Sequence, residues 1–168
     1  SFKNFNPSGN TNLVIALSPT LLESAAARCT SNGIKVYSQN VAYEDNGAYT
    51  GEISPLQLKD IGVKGTLVGH SERRSLFGDN DESCAKRAAK ALEHDLDLIY
   101  CIGETLEERD SGKTKDVVFK QLDAVVPTLG ENKSKLENSA IAYEPVWSIG
   151  TGKVATTEQI AETHGWIE

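Results

Sequence analysis

The stretch Gly65-Thr66-Leu67-Val68-Gly69-His70-Ser71-Glu72-Arg73-Arg74 passes from a short apolar run through a glycine into a dense cluster of charge. The run 65–69 has the length of a buried strand, and Gly69 permits a tight turn at its end. Working outward, the chain repeats this change of character. Upstream, 13–17 (LVIAL) and 34–38 (IKVYS) read as strands, the first apolar throughout and so buried on both faces. Between them, 20–32 carries Leu21, Leu22, Ala25, Ala26 and Cys29 at helical spacing and stops before Gly33. Ser54-Pro55 supplies an N-cap and a first-turn proline for a short helix ending at Gly62, after a polar, turn-rich loop over 40–51. Downstream, helices over 81–95, 113–129 and 156–166 alternate with strands over 96–102 and 139–143. The last helix opens on Thr156-x-x-Gln159, a capping box. Alternation of strand and helix predicts an α/β fold with a parallel sheet. Two architectures fit, an open doubly wound sheet or part of a closed (β/α)8 barrel. Five strands complete only the first, since the barrel usually takes about 250 residues, so pattern alone favours the open sheet.

The chain has 168 residues, no Met, and a net charge of −7. One domain, 1–168, is expected from that length. The acidic balance opposes a nucleic-acid partner, because binding phosphates needs clustered Lys and Arg. Apolar runs fall far short of the ~20 residues that span a bilayer, so neither membrane insertion nor a signal peptide is expected. Cys29, Cys84 and Cys101 are odd in number and widely spaced, which suits neither a disulfide framework nor a zinc site and points to a reducing, cytoplasmic setting. Asn132-Lys133-Ser134 matches a glycosylation sequon with no secretion signal to give it meaning.

In parallel α/β folds ligands gather at the carboxyl ends of strands. His70 and Glu144 each follow a strand, and an imidazole and a carboxylate on one rim can work as electrophile and base. The same positions also suit a helix-capping histidine and a solvated loop acid. A helix N-terminus after His70 would keep the imidazole neutral and able to donate a hydrogen bond to a carbonyl oxygen. Glu144 runs into Pro145-Val146-Trp147-Ser148-Ile149-Gly150-Thr151-Gly152-Lys153, whose stiff start and glycine-rich end suit a lid. Pro145 and Gly152 are the candidate hinges, and Trp147 with Ile149 the candidate cover. An ordinary loop with a buried Trp fits the same residues. A nucleotide P-loop does not, because Trp147 and Val154 stand where glycine and Ser or Thr are required. The Gly150 backbone N–H could still meet a phosphate.

Val68-Gly69-His70-Ser71-Glu72-Arg73-Arg74, Ala142-Tyr143-Glu144-Pro145-Val146-Trp147-Ser148-Ile149-Gly150-Thr151-Gly152-Lys153, Gly47-Ala48-Tyr49-Thr50-Gly51-Glu52 and Cys101-Ile102-Gly103-Glu104 together resemble the triosephosphate isomerases, in order and in spacing, from about Leu13 to the end. The resemblance replaces the open sheet with an incomplete TIM barrel, (β/α)8, of about five βα units, strands two to six of the family. It implies that His70 is the neutral catalytic histidine, Glu144 the base, and Pro145 to Lys153, with Trp147 and Gly152, the lid. It further implies that Gly150 reaches the substrate phosphate, that Glu72, with Ser71 beside it, is a buried supporting acid, and that Thr50 tips a loop entering the partner of a homodimer. This family is itself the standard example of a glutamate base and neutral histidine under a closing loop. The reaction implied interconverts dihydroxyacetone phosphate and glyceraldehyde 3-phosphate through an enediol, in glycolysis and gluconeogenesis, with no metal and no cofactor.

The family's first strand, with its substrate-binding Asn-x-Lys, is expected before Ser1, since Lys3 stands in the wrong order to supply it. The last two strands, with their phosphate-binding turns, are expected after Glu168. The chain is therefore expected to be part of an intact isomerase, inactive alone. The alternative is a separate, catalytically inactive product serving as an assembly or interaction module.

Overall fold

A computed structural model describes residues 11–168, and Lys3 lies outside them. Strands β1 (Leu13–Leu17), β2 (Ile34–Ser38), β3 (Gly65–Val68), β4 (Asp97–Ile102) and β5 (Ala140–Tyr143) all form where apolar runs predict them. They make one five-stranded sheet in the order β1-β2-β3-β4-β5, every pairing parallel. That order corrects the open-sheet reading of the pattern. A doubly wound sheet reverses its strand order at a switch point, and there is none here. With each strand added on the same side and crossovers of one hand, helices cover one face only and the sheet curls into a half-barrel.

Helices α1 (Pro19–Cys29), α4 (Asp81–Glu93) and α6 (Thr114–Glu131) pack on that face. Val36, Val68, Leu98, Tyr100 and Ile102 meet Leu22, Cys84, Ala88, Leu92, Val118 and Val125 there in one buried core. Strand residues alternate faces, so Lys35, Tyr37 and Asp97 share the other side. Tyr37 donates to Asp97 Oδ2 at 2.8 Å and Lys35 Nζ reaches the same oxygen at 3.0 Å. Burial, then the Asp97 bond, pushes the Tyr37 phenol above its ordinary value.

Two short helices carry no apolar period, and of these the sequence anticipates only the one that His70 caps. Helix α5 (Leu106–Asp110, LEERD) has no apolar period, but Thr105 and Glu108 form a capping box that starts it. Helix α3 (Ser71–Leu76) lies in the charged cluster after His70. Ser54 caps α2 (Pro55–Asp60) and Thr156 caps α7 (Thr157–Ile167) as their sequences predict. The helix expected over 81–95 stops two residues early, where Asp95 takes a left-handed backbone (φ 55°) that a short polar side chain tolerates. None of the described helices is long and apolar enough to cross a membrane.

Tyr37, Gly65 and Asp97 lie side by side in the register. A Cβ on Gly65 would stand 2.5 Å from the Asp97 carbonyl oxygen and 2.7 Å from Tyr37 Cζ. Gly65→Ala is therefore expected to lower stability by about 1–3 kcal/mol, the usual range for overpacking. Urea unfolding checks this, and an unmoved midpoint would show that β3 shifts freely.

Candidate active site

β3 and β5 deliver His70 and Glu144 to the same rim, and the two side chains touch. His70 Nε2 lies 2.9 Å from Glu144 Oε1, and the second oxygen accepts the Ser71 backbone N–H at 3.1 Å. His70 is also the N-cap of α3, its Nδ1 accepting the Glu72 backbone N–H at 3.3 Å. A ring nitrogen that accepts carries no proton. The hydrogen-bond pattern thus assigns the proton to Nε2, which donates to Glu144. The helix-capping reading of His70 and the chemical one are the same fact, because the cap fixes the neutral tautomer.

Two glycines set the spacing. Gly69 turns the chain with φ +81°, and a Cβ there would lie 2.9 Å from the Cys101 carbonyl oxygen. Its own carbonyl accepts from Arg74 Nε at 2.8 Å, while Arg74 Nη1 pairs with Asp81 at 2.7 Å. On the next strand, the Glu144 N–H donates to the Ile102 carbonyl at 2.7 Å. A Cβ on Gly103 would collide with the Glu144 carbonyl oxygen. Gln121 of α6 holds Gly103 by both backbone groups, at 2.8 and 3.1 Å. Glu144 can hug β4 only because position 103 has no side chain.

The pair lies between two cavities. One, of about 350 Å³, is lined by His70 and Glu72 with Ser38, Asn40, Leu67 and Phe77. The other, of about 250 Å³, lies on the Glu144 side and includes Ser71, Gly103 and Val146. Glu72 departs from expectation. Its side chain is 69% exposed, 3.9 Å from His70 Nδ1, rather than a buried acid. The arginines beside it are engaged elsewhere, Arg73 with Asp79 and Arg74 with Asp81.

The segment after Glu144 has a partly buried root and an exposed tip. Pro145 leads into a short 3-10 turn, Val146–Ser148. Beyond it Ile149 is 45% and Val154 84% exposed, and Gly150, Gly152 and Lys153 are exposed with them. Gly150 and Gly152 take left-handed backbones, φ 67° and 76°. Thr151 donates to the Trp147 carbonyl at 2.7 Å and Ser148 to the Lys153 carbonyl at 2.9 Å, so both bonds tie the tip back to the root. Trp147 is buried away from its expected role as cover. Its indole N–H donates to Glu104 at 2.9 Å.

Glu104 is the residue to which sequence reasoning assigned no role. It is wholly buried, and Arg109 (2.9 Å), the Tyr143 hydroxyl (3.0 and 3.1 Å), Trp147 and, at 3.5 Å, Thr114 converge on its oxygens. Burial raises the Tyr143 phenol to about 12. The available signal was position: Glu104 follows β4 as His70 follows β3 and Glu144 follows β5.

Thr50 is exposed on the loop over 40–53. That loop is moored to α4 by Arg87, which reaches Glu52 at 2.7 Å and the Val41 carbonyl at 2.5 Å, and by His94 on Asp45 at 2.7 Å. Asp45, Glu93 and His94 bring three potential ligand atoms together. The Lys90 ammonium already sits among them, 2.8 Å from Glu93 and 3.6 Å from Asp45. Cys29, Cys84 and Cys101 are free thiols. Cys101 is 2% exposed, and burial, then the Glu144 charge, pushes its thiol up to about 12. Iodoacetamide at pH 8 is expected to leave Cys101 unmodified in the folded protein and to label it after urea unfolding. Mass spectrometry of the digested protein reads the difference, and native labelling at the rate of a free thiol would refute it.

The triosephosphate isomerase family model matches residues 2–168. Triosephosphate isomerases of Clostridium novyi, Paracoccidioides lutzii and Emericella nidulans are 44%, 48% and 47% identical to the chain over 155, 154 and 167 residues. These alignments cover 92%, 91% and 98% of this chain and 61%, 61% and 66% of the relatives. The chain thus spans about three-fifths to two-thirds of the length of the curated relatives it matches. The match over nearly its whole length, on the parallel βα architecture just described, makes the chain a member of the triosephosphate isomerase family.

Proposed function

We propose that the full-length protein carrying this chain is a cytoplasmic, homodimeric triosephosphate isomerase, and that His70 and Glu144 perform its proton transfers. The observation that carries this reading is the 2.9 Å contact between them together with the tautomer that α3 imposes on His70. The Glu144 carboxylate takes a proton from the carbon next to the substrate carbonyl. The His70 Nε2–H donates to the carbonyl oxygen, where negative charge develops as the enediol forms. His70 Nε2 then takes the proton of the neighbouring hydroxyl and Glu144 returns its proton to the former carbonyl carbon, so the carbonyl re-forms one carbon over, both residues are restored, and no oxidation state changes overall and no cofactor is needed. A base and a donor already in contact suit a substrate whose reacting atoms are adjacent.

The lid over 145–153 closes on the substrate phosphate in this reading, with the Gly150 N–H as its donor and Pro145 and Gly152 as hinges. Its own hydrogen bonds keep it one piece during that motion. Closure excludes water and protects the enediol from losing phosphate. Thr50 and its loop enter the partner subunit. Lysine and further phosphate donors come from the strands of the family that precede Ser1 and follow Glu168, and the exposed Glu72 faces the cleft they would fill.

Glu144→Asp in the full-length protein draws the carboxylate back by one methylene, and kcat is expected to fall about a hundredfold, as for a misplacement near 1 Å. A coupled assay with glyceraldehyde 3-phosphate measures it, and an unchanged rate removes Glu144 from the role of base. The 168-residue chain made alone is expected to give no turnover in the same assay. Robust turnover would show that five βα units suffice.

A further inference from the structure

His70 and Glu144 touch each other but line different cavities. His70 lines the one of about 350 Å³, and Glu144 the other, of about 250 Å³. This rear cavity runs between α3 and α5, with Ile102 of β4 and Gln121 of α6 also lining it. Ile102 is 1% and Gln121 8% exposed, so its floor is buried. Ser75 and Thr105, which line it from the two short helices, are exposed. The cavity thus reaches from solvent inward to the base. Ser71 lines it too, and the Ser71 N–H holds Glu144 Oε2 at 3.1 Å, while Oε1 meets His70 at 2.9 Å. One oxygen of the carboxylate belongs to each side.

We propose that the rear cavity is a water site through which the proton taken by Glu144 exchanges with solvent while the lid covers the substrate, a role that rests on the isomerase reading above. Its volume of about 250 Å³ far exceeds the ~10–15 Å³ that one water needs. Ser71, Ser75, Thr105 and Glu108 bring the polar groups that hold water there. Substrate and closing lid occupy the His70 side, and closure excludes water from that side. Among the described residues of the lid, Val146 at its root is the one that lines the rear cavity, so the tip can close the front without filling the back. In the exchange, the carboxylic acid passes its proton to a water oxygen as a hydrogen-bonded water returns one to the carboxylate. Atoms and charge balance, and the acid stays neutral. Whatever isotope the water carries is then delivered to carbon when Glu144 gives its proton back.

Ser75→Leu and Ser75→Phe in the full-length protein place larger side chains at the mouth of the cavity, away from His70, Glu144 and the lid. Glyceraldehyde 3-phosphate is isomerised in D2O with the product trapped by reduction as it forms, and deuterium at the carbon that receives the proton is read by NMR. Both variants should keep kcat within about twofold, as expected of an exposed position. Deuterium in the product should fall by about threefold or more as water is shut out, with Ser75→Ala at the parent level. Transfer of magnetisation from water to the Ser71 amide, read by 15N-edited NMR with triose phosphates at saturation, is a second measurement that does not depend on turnover. It should be present in the parent and lost in Ser75→Phe. Unchanged deuterium in both filled variants would overturn the proposal, and so would a parent without water transfer at Ser71. A parent with no isomerase turnover would instead overturn the functional reading, leaving the Ser71 signal to decide whether the cavity holds water.

Discussion

Parallel pairing in sequential order is the constraint on which the rest depends. Five strands laid down in the order of the chain, all pointing one way, bring every carboxyl end to one rim. His70, Glu104 and Glu144 each follow the end of a different strand, so residues far apart in sequence become neighbours there. An antiparallel sheet of the same strands would have sent alternate members of this trio to opposite ends. The trio then divides its work. His70 and Glu144 face one another, while Glu104 is buried behind them and holds the chain that leaves Glu144.

A rim of charged groups must be held against mutual repulsion and against water. Three different devices do this. Backbone N–H groups at the start of α3 take up one Glu144 oxygen and His70 Nδ1. Missing side chains at Gly69 and Gly103 allow neighbouring strand ends to approach. Arginines close the charge balance, Arg74 with Asp81, Arg73 with Asp79 and Arg109 with Glu104. Each arginine also touches something besides its acid: the Gly69 carbonyl for Arg74, the Phe77 ring for Arg73, the Trp147 ring for Arg109. Their geometry transmits position as well as charge, which is the property that separates arginine from lysine.

What the sequence made legible follows from the range of the interactions. Strands β1 to β5 and the capped helices α2 and α7 rest on local periodicity and local hydrogen bonds, so they could be read directly. The curl of the sheet is not in the periodicity, because it follows from strand order and strand order depends on contacts between distant segments; the family motifs carried it instead. His70 and Glu144 were recognisable by their place after strands. Glu104 has the same place, but nothing local marks it, because its function lies in accepting from Tyr143, Trp147 and Arg109, three residues on three different elements. Glu72 shows the opposite case. The resemblance to the family made it a buried acid, whereas its side chain here lies largely in solvent, since burial depends on what surrounds a residue and not on the motif that contains it.

The two ends of the strands differ in what their polar groups can do. Asp97 at the start of β4 joins Lys35 and Tyr37, and Gly65 seals this layer by leaving no room for a side chain. All three polar groups are spent on one another, and the phenol is pushed further from ionising. At the carboxyl end, the Glu144 carboxylate and the His70 N–H are also paired with each other, but both border open cavities. A substrate carbonyl can take over the N–H and an acidic C–H the carboxylate without stranding a buried charge. Polar pairing closes one end of the sheet and leaves the other exchangeable, and that difference is what suits the second end to the proposed proton transfer.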